Sequence, residues 1–145
     1  MGPSATKPIL YMDHPLGERS NHEWMHNIAS AGRWFQWLFR NTPCVITAPW
    51  WPYAVLVDVF MEESRIAADS MLLLDHSNVY VQCGPCVSAH MREREDYARR
   101  RQIRVCDLTS FSVSTHQGLY PPGPPRDSLK FNRALAELEK ALDQT

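Results

Sequence analysis

The sequence lacks three features that would indicate a membrane-bound, nucleic-acid-binding or exported protein. No apolar run approaches the roughly 20 residues that a membrane-spanning helix needs. Charge of one sign is not in excess, because 15 basic residues stand against 16 acidic ones. The opening residues, MGPSATKP, contain no apolar stretch of the kind that a secretory signal requires. We therefore expect no membrane partner, no nucleic-acid partner and a cytoplasmic location.

The composition is that of one globular domain. Its 145 residues fall within the usual size of a domain, and 44% of them are hydrophobic, which is enough for one core. Four cysteines in a chain expected to be cytoplasmic indicate reduced thiols rather than disulfides. Cys44 and Cys106 stand in apolar runs, so we expect both to be buried structural thiols. Residues 1–7 are expected to form a disordered tail.

Apolar runs typical of strands alternate with segments whose apolar residues recur at helical spacing. The predicted strands cover residues 8–12, 44–48, 71–74 with 79–81, and 103–108. The predicted helices cover residues 20–39, 55–68, 88–101 and 127–143, and a stiff proline-rich loop occupies 121–125. Residues expected to face the core are Trp24, Ile28, Ala31, Phe35 and Leu38 in the first helix, and Phe131, Leu135, Leu138 and Leu142 in the last.

This alternation favours a parallel sheet covered by helices. We therefore predict one three-layer α/β domain over residues 1–145. Its parallel sheet should have about five strands, with helices on both faces, as in Rossmann- and flavodoxin-like folds.

The segment from Asp69 to Val105 is the most informative part of the chain. A predicted buried strand, 71–74, and a second short apolar run, 79–81, lead into a turn that contains glycine and proline. Ser88 then stands where a helix N-cap is expected, before a charged helix. This order places a helix N-terminus and several polar side chains at the carboxyl edge of the sheet. Open α/β sheets bind anionic or sugar-bearing ligands at that edge.

One motif resembles a zinc site. Residues His22 to His26 spell HEWMH, which matches the pattern H-E-x-x-H. The match lies in the first turns of its helix, beside the apolar stripe through Trp24 and Ile28, and no neighbouring helix offers a clear third ligand. We therefore expect His22 and His26 to be solvated, and we expect no metal and no other cofactor.

A second motif keeps another class of function open. Residues Cys83 to Cys86 spell CGPC, the tetrapeptide of thioredoxin-like redox sites. Its surroundings differ from those in thioredoxin, because a much longer segment precedes it and the residue directly before it is not a Trp. Thiol–disulfide oxidoreduction through Cys83 and Cys86 is therefore an alternative function.

A third possibility is a non-catalytic interaction protein. The aromatic segment Trp50-Trp51-Pro52-Tyr53 follows the second predicted strand. Aromatic side chains are enriched in interface cores, so this segment is a candidate contact in a homo-oligomer.

Several short motifs, in their order and spacing, resemble the nucleoside 2-deoxyribosyltransferase-like superfamily, in particular its small bacterial and phage members. The family's Y-x-A-G-P turn corresponds to Tyr11-Met12-Asp13-His14-Pro15. Its motif G-x-x-(I/V)-S-x-G-M-x-x-E-x-x-x-A corresponds to the segment from Gly84 to Ala98, and a strand containing Val105 follows. Further matches are Asn27 and Ala31 in the first helix, Pro49 after the second strand and Asp69 before the third. The resemblance covers about residues 8–108.

The resemblance implies chemistry on the N-glycosidic bond of a nucleoside or nucleotide. In the family a Glu near the start of the third helix attacks the anomeric carbon of the sugar. A neighbouring acid and backbone N–H groups interact with the base and with the sugar hydroxyls. Small members complete their sites with a neighbouring subunit, which implies a dimer or larger homo-oligomer. The implied partner is a nucleoside- or nucleotide-like small molecule.

The chain departs from the family pattern at two kinds of position. Arg94 stands at the family Glu, with Glu93 and Glu95 on either side, and His14 and His90 replace two glycines. We expect the two histidines to face one crevice. With strict helix register Arg94 would hold an anion, whereas a slip of one residue would bring Glu95 into the crevice. We expect hydrolysis to be weak or absent.

The resemblance then gives a set of candidate site residues. The first candidate for the catalytic carboxylate is Glu95, and the second is Glu93. The candidate substrate-binding residues are Asp13, His14, Pro15, Asp75, Gly84, Ser88, His90 and Arg94, of which Asp13, Asp75 and His90 would be acid or positioning groups.

Overall fold

The chain folds around a small parallel sheet. A computed structural model describes residues 7–16, 22–55, 63–109, 133, 136 and 138–140, with the backbone alone described at 22, 23, 53–55 and 63. The elements are β1 Ile9–Asp13, α1 His22–Asn41, β2 Val45–Thr47, α2 Trp50–Val55, α3 Glu63–Asp75, β3 Val79–Gln82, α4 Ala89–Arg100 and β4 Arg104–Asp107.

The four strands of the described residues form one sheet in the order β2-β1-β3-β4, and all of its pairings are parallel. β1 places Leu10 opposite Val79 of β3, and Val79 lies opposite Arg104 of β4. The predicted parallel α/β fold is confirmed at this level. The sheet has one strand fewer than predicted within the part of the chain that the structure describes.

The core is centred on the two middle strands. All of β3 and all but the first residue of β1 are buried. Because successive strand residues point to opposite faces, both faces of these strands are covered. Their aliphatic side chains pack in one cluster with Trp34 and Leu38 of α1 and with Leu138. The polar residues Asp13 and Gln82, which end the two strands, are buried with them.

The helix predicted for residues 20–39 is confirmed as α1, but its buried stripe is rotated. Trp34 is fully buried, whereas Phe35 is 36% exposed. Neighbouring residues on a helix lie about 100° apart, so an aromatic pair at 34 and 35 can place only one ring in the core. The sequence pattern favoured Phe35, and that choice is wrong.

The prediction of a strand at residues 71–74 is wrong, because these residues form the last turn of α3. An apolar run of four residues is compatible with either element, and periodicity cannot separate them. In the helix, Leu74 is fully buried while Leu72 and Leu73 are 58% and 39% exposed. Of the helix predicted for 55–68, residue 55 and residues 63–68 are helical, and residues 56–62 lie outside the described part of the chain.

Some predictions fall on residues outside the described part of the chain. These are the tail at 1–6, the proline-rich loop at 121–125, and most of the helix predicted for 127–143, including Phe131, Leu135 and Leu142. Of that helix, residues 133, 136 and 138–140 are described and helical, and Leu138 is buried as predicted. None of the helices in the described ranges has both the length and the apolar character needed to cross a bilayer.

Candidate functional site

The strand order creates one favoured place for a ligand. From β1 the chain moves to β2 on one side, and then returns across β1 to β3 on the other. The carboxyl ends of β1 and β3 therefore flank the point where the direction of winding reverses. In open α/β sheets, ligands bind in the crevice at that point.

Asp13, the last residue of β1, is the centre of a buried polar cluster at this point. Its side chain is 1% exposed and accepts hydrogen bonds from Nη1 of Arg94, at 3.0 Å to Oδ1 and 2.8 Å to Oδ2. The Tyr80 hydroxyl donates to Oδ2 at 2.7 Å, and the backbone N–H of His14 donates to Oδ1 at 3.0 Å. The carboxylate is thus ion-paired and fully hydrogen-bonded, which is what a buried charge requires.

Tyr80 ties this cluster to α4. Its hydroxyl lies 3.1 Å from the carbonyl oxygen of Met91 as well as 2.7 Å from Asp13. Burial, and then the negative charge of Asp13, raise the pKa of Tyr80 well above its ordinary value. The hydroxyl therefore remains a hydrogen-bond donor, and it fixes the first turns of α4 against the end of β1.

The start of α4 is set by its cap. Ser88 has an extended backbone, and its Oγ accepts the N–H of Met91 at 3.3 Å, so the helix begins at Ala89. Met91 and Ala98 are then buried against the sheet. This fixes the register in which Arg94 reaches β1.

Glu95, the candidate catalytic carboxylate, lies at the carboxyl end of β3. Its Oε1 accepts a hydrogen bond from Nε2 of Gln82 at 2.9 Å, and its Oε2 lies 3.3 Å from Nε of Arg99. The Glu95 side chain is 28% exposed, so the carboxylate is oriented by the protein and still reaches solvent. Glu93, by contrast, is exposed on another face of α4.

Gln82 and Asp107 also lie at this edge, although the sequence motifs did not indicate them. The sheet register places Asp13 opposite Gln82 and Gln82 opposite Asp107, so three polar residues end three adjacent strands in one row. Gln82 is fully buried, and its Oε1 has no hydrogen-bond partner within the described residues. Asp107 is exposed, and its Oδ1 accepts from Thr109. A polar residue directly after an apolar strand was the sequence signal for this row.

The His14 side chain fills part of the crevice and does not line it as an exposed group. It is 3% exposed, with Nδ1 at 2.7 Å from the Pro15 carbonyl and Nε2 at 2.8 Å from Oγ of Ser30. A carbonyl only accepts, so Nδ1 carries the hydrogen and the Ser30 hydroxyl donates to Nε2. Gly84 packs directly against this ring, since a Cβ there would lie 2.7 Å from Nε2. The ring thus fills the space beside Gly84.

The neutral state of His14 predicts a loss of stability in acid. Burial lowers the pKa of His14 from 6.5 to about 4. The unfolded chain therefore takes up a proton before the folded one does. Stability is fully retained above pH 6.5 and falls progressively towards pH 4, by about 3 kcal/mol in total. Denaturant unfolding between pH 4 and 7.5 measures this. His14→Gln should flatten the profile, and the exposed-residue control His26→Gln should not. An unchanged profile in His14→Gln would contradict the assignment.

Two candidate site residues lie elsewhere. Asp75 ends α3, at the amino end of β3, where its Oδ1 accepts the Tyr97 hydroxyl at 2.6 Å and lies 3.3 Å from Nε of Arg101. The prediction that Asp75 lies in the crevice is wrong, because it depended on a strand at 71–74. His90 is exposed on α4 and does not share the surroundings of His14, so the predicted histidine pair at one crevice is also wrong. Asp69 lies within α3 instead of opening a strand.

A groove between α3 and α4 collects several candidate residues. Its volume is about 280 Å³, and it is lined by Met71 of α3 and by His90, Glu93, Arg94, Tyr97 and Arg100 of α4. A second groove, of about 460 Å³, is lined by Pro49, Pro52, Asp69, Leu72 and Leu73 and contains no candidate site residue. Arg94 therefore connects the first groove to the buried Asp13.

The cysteines are arranged unfavourably for thioredoxin-like chemistry. Such a site needs a first cysteine with a stabilised thiolate. Here Cys83 is fully buried, and burial raises its pKa well above the ordinary value, while Cys86 is exposed. Cys44 is buried as expected, but Cys106 is only partly buried. The geometry argues against the oxidoreductase alternative.

This arrangement predicts the order in which the thiols react. In the native protein Cys86 should be modified at once by a chromogenic disulfide such as DTNB, and Cys83 only after unfolding. Cys86→Ser should remove the fast phase, whereas Cys83→Ser should leave it intact. A fast phase that disappears in Cys83→Ser would contradict the burial of that thiol.

Both tryptophans of the aromatic segment after β2 donate hydrogen bonds within the molecule. Trp50 is 5% exposed and its Nε1 donates to the Met12 carbonyl at 2.9 Å. Nε1 of Trp51 donates to the Ile28 carbonyl at 3.1 Å. Because Trp50 is buried within the molecule, the prediction that it forms an oligomer contact is wrong. Trp51 is half-buried and stays a candidate for that contact, and the side chain of Tyr53 lies outside the described residues.

The described part of the fold adds no metal-binding partner to the zinc-like motif. His26 is exposed, and the side chains of His22 and Glu23 lie outside the described part of the chain. Within the described residues, no group of three His, Cys, Asp or Glu side chains is placed to hold a metal ion.

Comparison with known proteins assigns no family. No protein-family model matches the chain, and no curated protein sequence matches it.

Proposed function

We propose that the protein is an N-glycosidase-like protein of the nucleoside deoxyribosyltransferase type, which binds a nucleoside- or nucleotide-like small molecule at the carboxyl edge of β1 and β3. The observation that carries this proposal is the Gln82 amide holding the Glu95 carboxylate at that edge, 2.9 Å away. A carboxylate that is oriented, partly exposed and placed at the winding reversal is suited to attack an anomeric carbon.

Arg94, which departs from the family motif, is accounted for by its contact with Asp13, a further departure in the family turn. Asp13 stands at the Ala of the family turn and Arg94 at the family Glu, and the two form a buried ion pair. A cation alone at that position would be costly to bury, and Asp13 compensates it. The pair leaves Glu95, one residue further around α4, as the carboxylate available to a ligand.

The same contacts predict slow chemistry. Both oxygens of Glu95 face donors, Gln82 on one side and Arg99 on the other. Donors that stabilise a carboxylate also reduce its nucleophilicity. In the proposed reaction the Glu95 carboxylate forms a glycosyl ester at the anomeric carbon while the base leaves and takes a proton from water. Water then hydrolyses the ester, which gives the free sugar and returns the carboxylate. Asp107, which ends the next strand, is the second carboxylate at this edge.

The test is release of free base from a panel of nucleosides and nucleoside 5′-monophosphates, followed by chromatography. We expect weak turnover that Glu95→Gln lowers at least a hundredfold. Asp96→Asn is the matched control, because it removes one negative charge from an exposed position of the same helix that does not line the groove. Equal turnover in the two variants would contradict the role of Glu95. Absence of both turnover and binding would contradict the proposed function.

The wider expectations belong to the same proposal. A three-layer, flavodoxin-like arrangement accords with the order β2-β1-β3-β4 and with the two-sided burial of β1 and β3. A cytoplasmic location and a homo-oligomer are part of the proposal, and the burial of Trp50 excludes only that residue from the oligomer contact. Sedimentation at micromolar concentration tests the oligomer.

A further inference from the structure

Arg94 presents an unused edge of its guanidinium group. Its hydrogen bonds all come from Nη1, at 3.0 and 2.8 Å to the two oxygens of Asp13. Among the described residues, no group accepts a hydrogen bond from its Nε or Nη2. These two nitrogens form one side of the planar group, a fork whose spacing matches two oxygens of a phosphate or carboxylate. Arg94 lines the groove between α3 and α4 and its side chain is 21% exposed, so part of this side chain is open to a solute in the groove.

The guanidinium is held in place before any ligand arrives. Asp13 is fixed by the Tyr80 hydroxyl at 2.7 Å and by the N–H of His14 at 3.0 Å, and it holds Nη1 in turn. A pre-organised side chain loses little rotamer freedom on binding, so more of the interaction energy appears as affinity. Asp13 thus orients the fork and balances its formal charge, so binding of an oxyanion depends on the directed N–H groups of the fork and on the second cation, Arg100.

The groove walls suit a small ligand with one anionic group. Arg100 adds a second cation, and Glu93 opposes it from the same helix. Tyr97 and Met71 supply apolar surface beside them. A volume of about 280 Å³ lies near the lower end for small-molecule sites, which are usually about 300–1,000 Å³. A phosphate monoester or a small carboxylate fits this space and charge.

We propose that the groove between α3 and α4 is an oxyanion-binding site, in which Nε and Nη2 of Arg94 bind two oxygens of a phosphate or carboxylate group. Arg100 adds a second positive charge at the same groove. The site stands on the geometry of Arg94 and is separate from the N-glycosidic chemistry of Glu95.

The test is an NMR titration of the arginine side-chain Nε–H resonances with inorganic phosphate. The Arg94 resonance should shift saturably. Arg94→Lys keeps a positive charge for Asp13 but removes the fork, and it should weaken phosphate binding at least tenfold. Arg100→Gln leaves the buried pair untouched and should weaken binding about threefold. Arg92→Gln removes the same charge from an exposed position outside the groove and should bind as the wild type does.

Further titrations identify the source of the oxyanion. Acetate, methyl phosphate and a nucleoside 5′-monophosphate are compared with the matching nucleoside. Tighter binding of the monophosphate than of methyl phosphate would identify a nucleotide, and equal binding would identify a free phosphate. No shift at Arg94 with any of them, or wild-type binding by both Arg94→Lys and Arg100→Gln, would overturn the site. Nucleoside binding that depends on Glu95, without any phosphate effect, would overturn this proposal and leave the proposed function standing. Phosphate binding without nucleoside or nucleotide binding would support the oxyanion site and contradict the proposed function.

Discussion

Asp13→Ala should lower the free energy of unfolding by about 3–5 kcal/mol. The substitution leaves the largely buried Arg94 guanidinium without its counter-charge and removes the acceptor of the Tyr80 hydroxyl at 2.7 Å. Breaking a buried ion pair on one side is expensive because the remaining charge stays desolvated. Urea unfolding followed by circular dichroism measures the loss at pH 7.

A double variant separates the unpaired charge from the lost packing. Asp13→Ala combined with Arg94→Met removes both charges, so it should be clearly more stable than Asp13→Ala alone. A loss below about 1 kcal/mol in the single variant, or an equal loss in both, would contradict the buried pair.

Gly84→Ala should destabilise the protein by about 2–5 kcal/mol. Gly84 has φ of +94°, and a Cβ there would lie 2.7 Å from Nε2 of His14 and 2.8 Å from Cδ of Pro15. An L-residue is strained in this backbone region, and the two neighbours are themselves buried and cannot move easily. Thermal unfolding measures the effect.

Gly32→Ala is the matched control. Gly32 lies within α1, and the nearest atom to an added Cβ is in the Trp51 ring at 3.6 Å, an ordinary contact. This substitution should be neutral or stabilise the protein by up to about 1 kcal/mol, since Ala favours a helix interior. In a His14→Ala background, Gly84→Ala should cost less, because part of the clash is gone. Equal effects of Gly84→Ala and Gly32→Ala would contradict the tight packing at the crevice.

The sequence predicted the elements that have strong local signals. The long helix α1 has helical periodicity, α4 has a clear cap at Ser88, and the runs that became β1 to β4 are short apolar segments bounded by polar, glycine or proline residues. Residues 71–74 were assigned wrongly because four consecutive apolar residues carry no period, and that error moved Asp75 from the amino end of β3 to the crevice.

The candidate site was predictable only in part. Asp13, Arg94 and Glu95 were found through motif order, and all three meet the carboxyl ends of β1 or β3. Gln82 and Asp107 were missed because a polar residue at a strand end gains meaning only when sheet register sets it beside others. The contact of Asp13 with Arg94 joins positions 81 residues apart, which no local pattern reveals.

The most direct test of a ligand site at the carboxyl edge is a backbone amide chemical-shift map on titration with a nucleoside 5′-monophosphate. The account predicts saturable shifts at Asp13 to Pro15, Gln82 to Gly84 and Ser88 to Glu95, with little change around Pro49, Leu72 and Leu73 in the second groove. Shifts concentrated in the second groove, or none at millimolar ligand, would contradict the central claim that the end of β1, the end of β3 and the start of α4 form the ligand site.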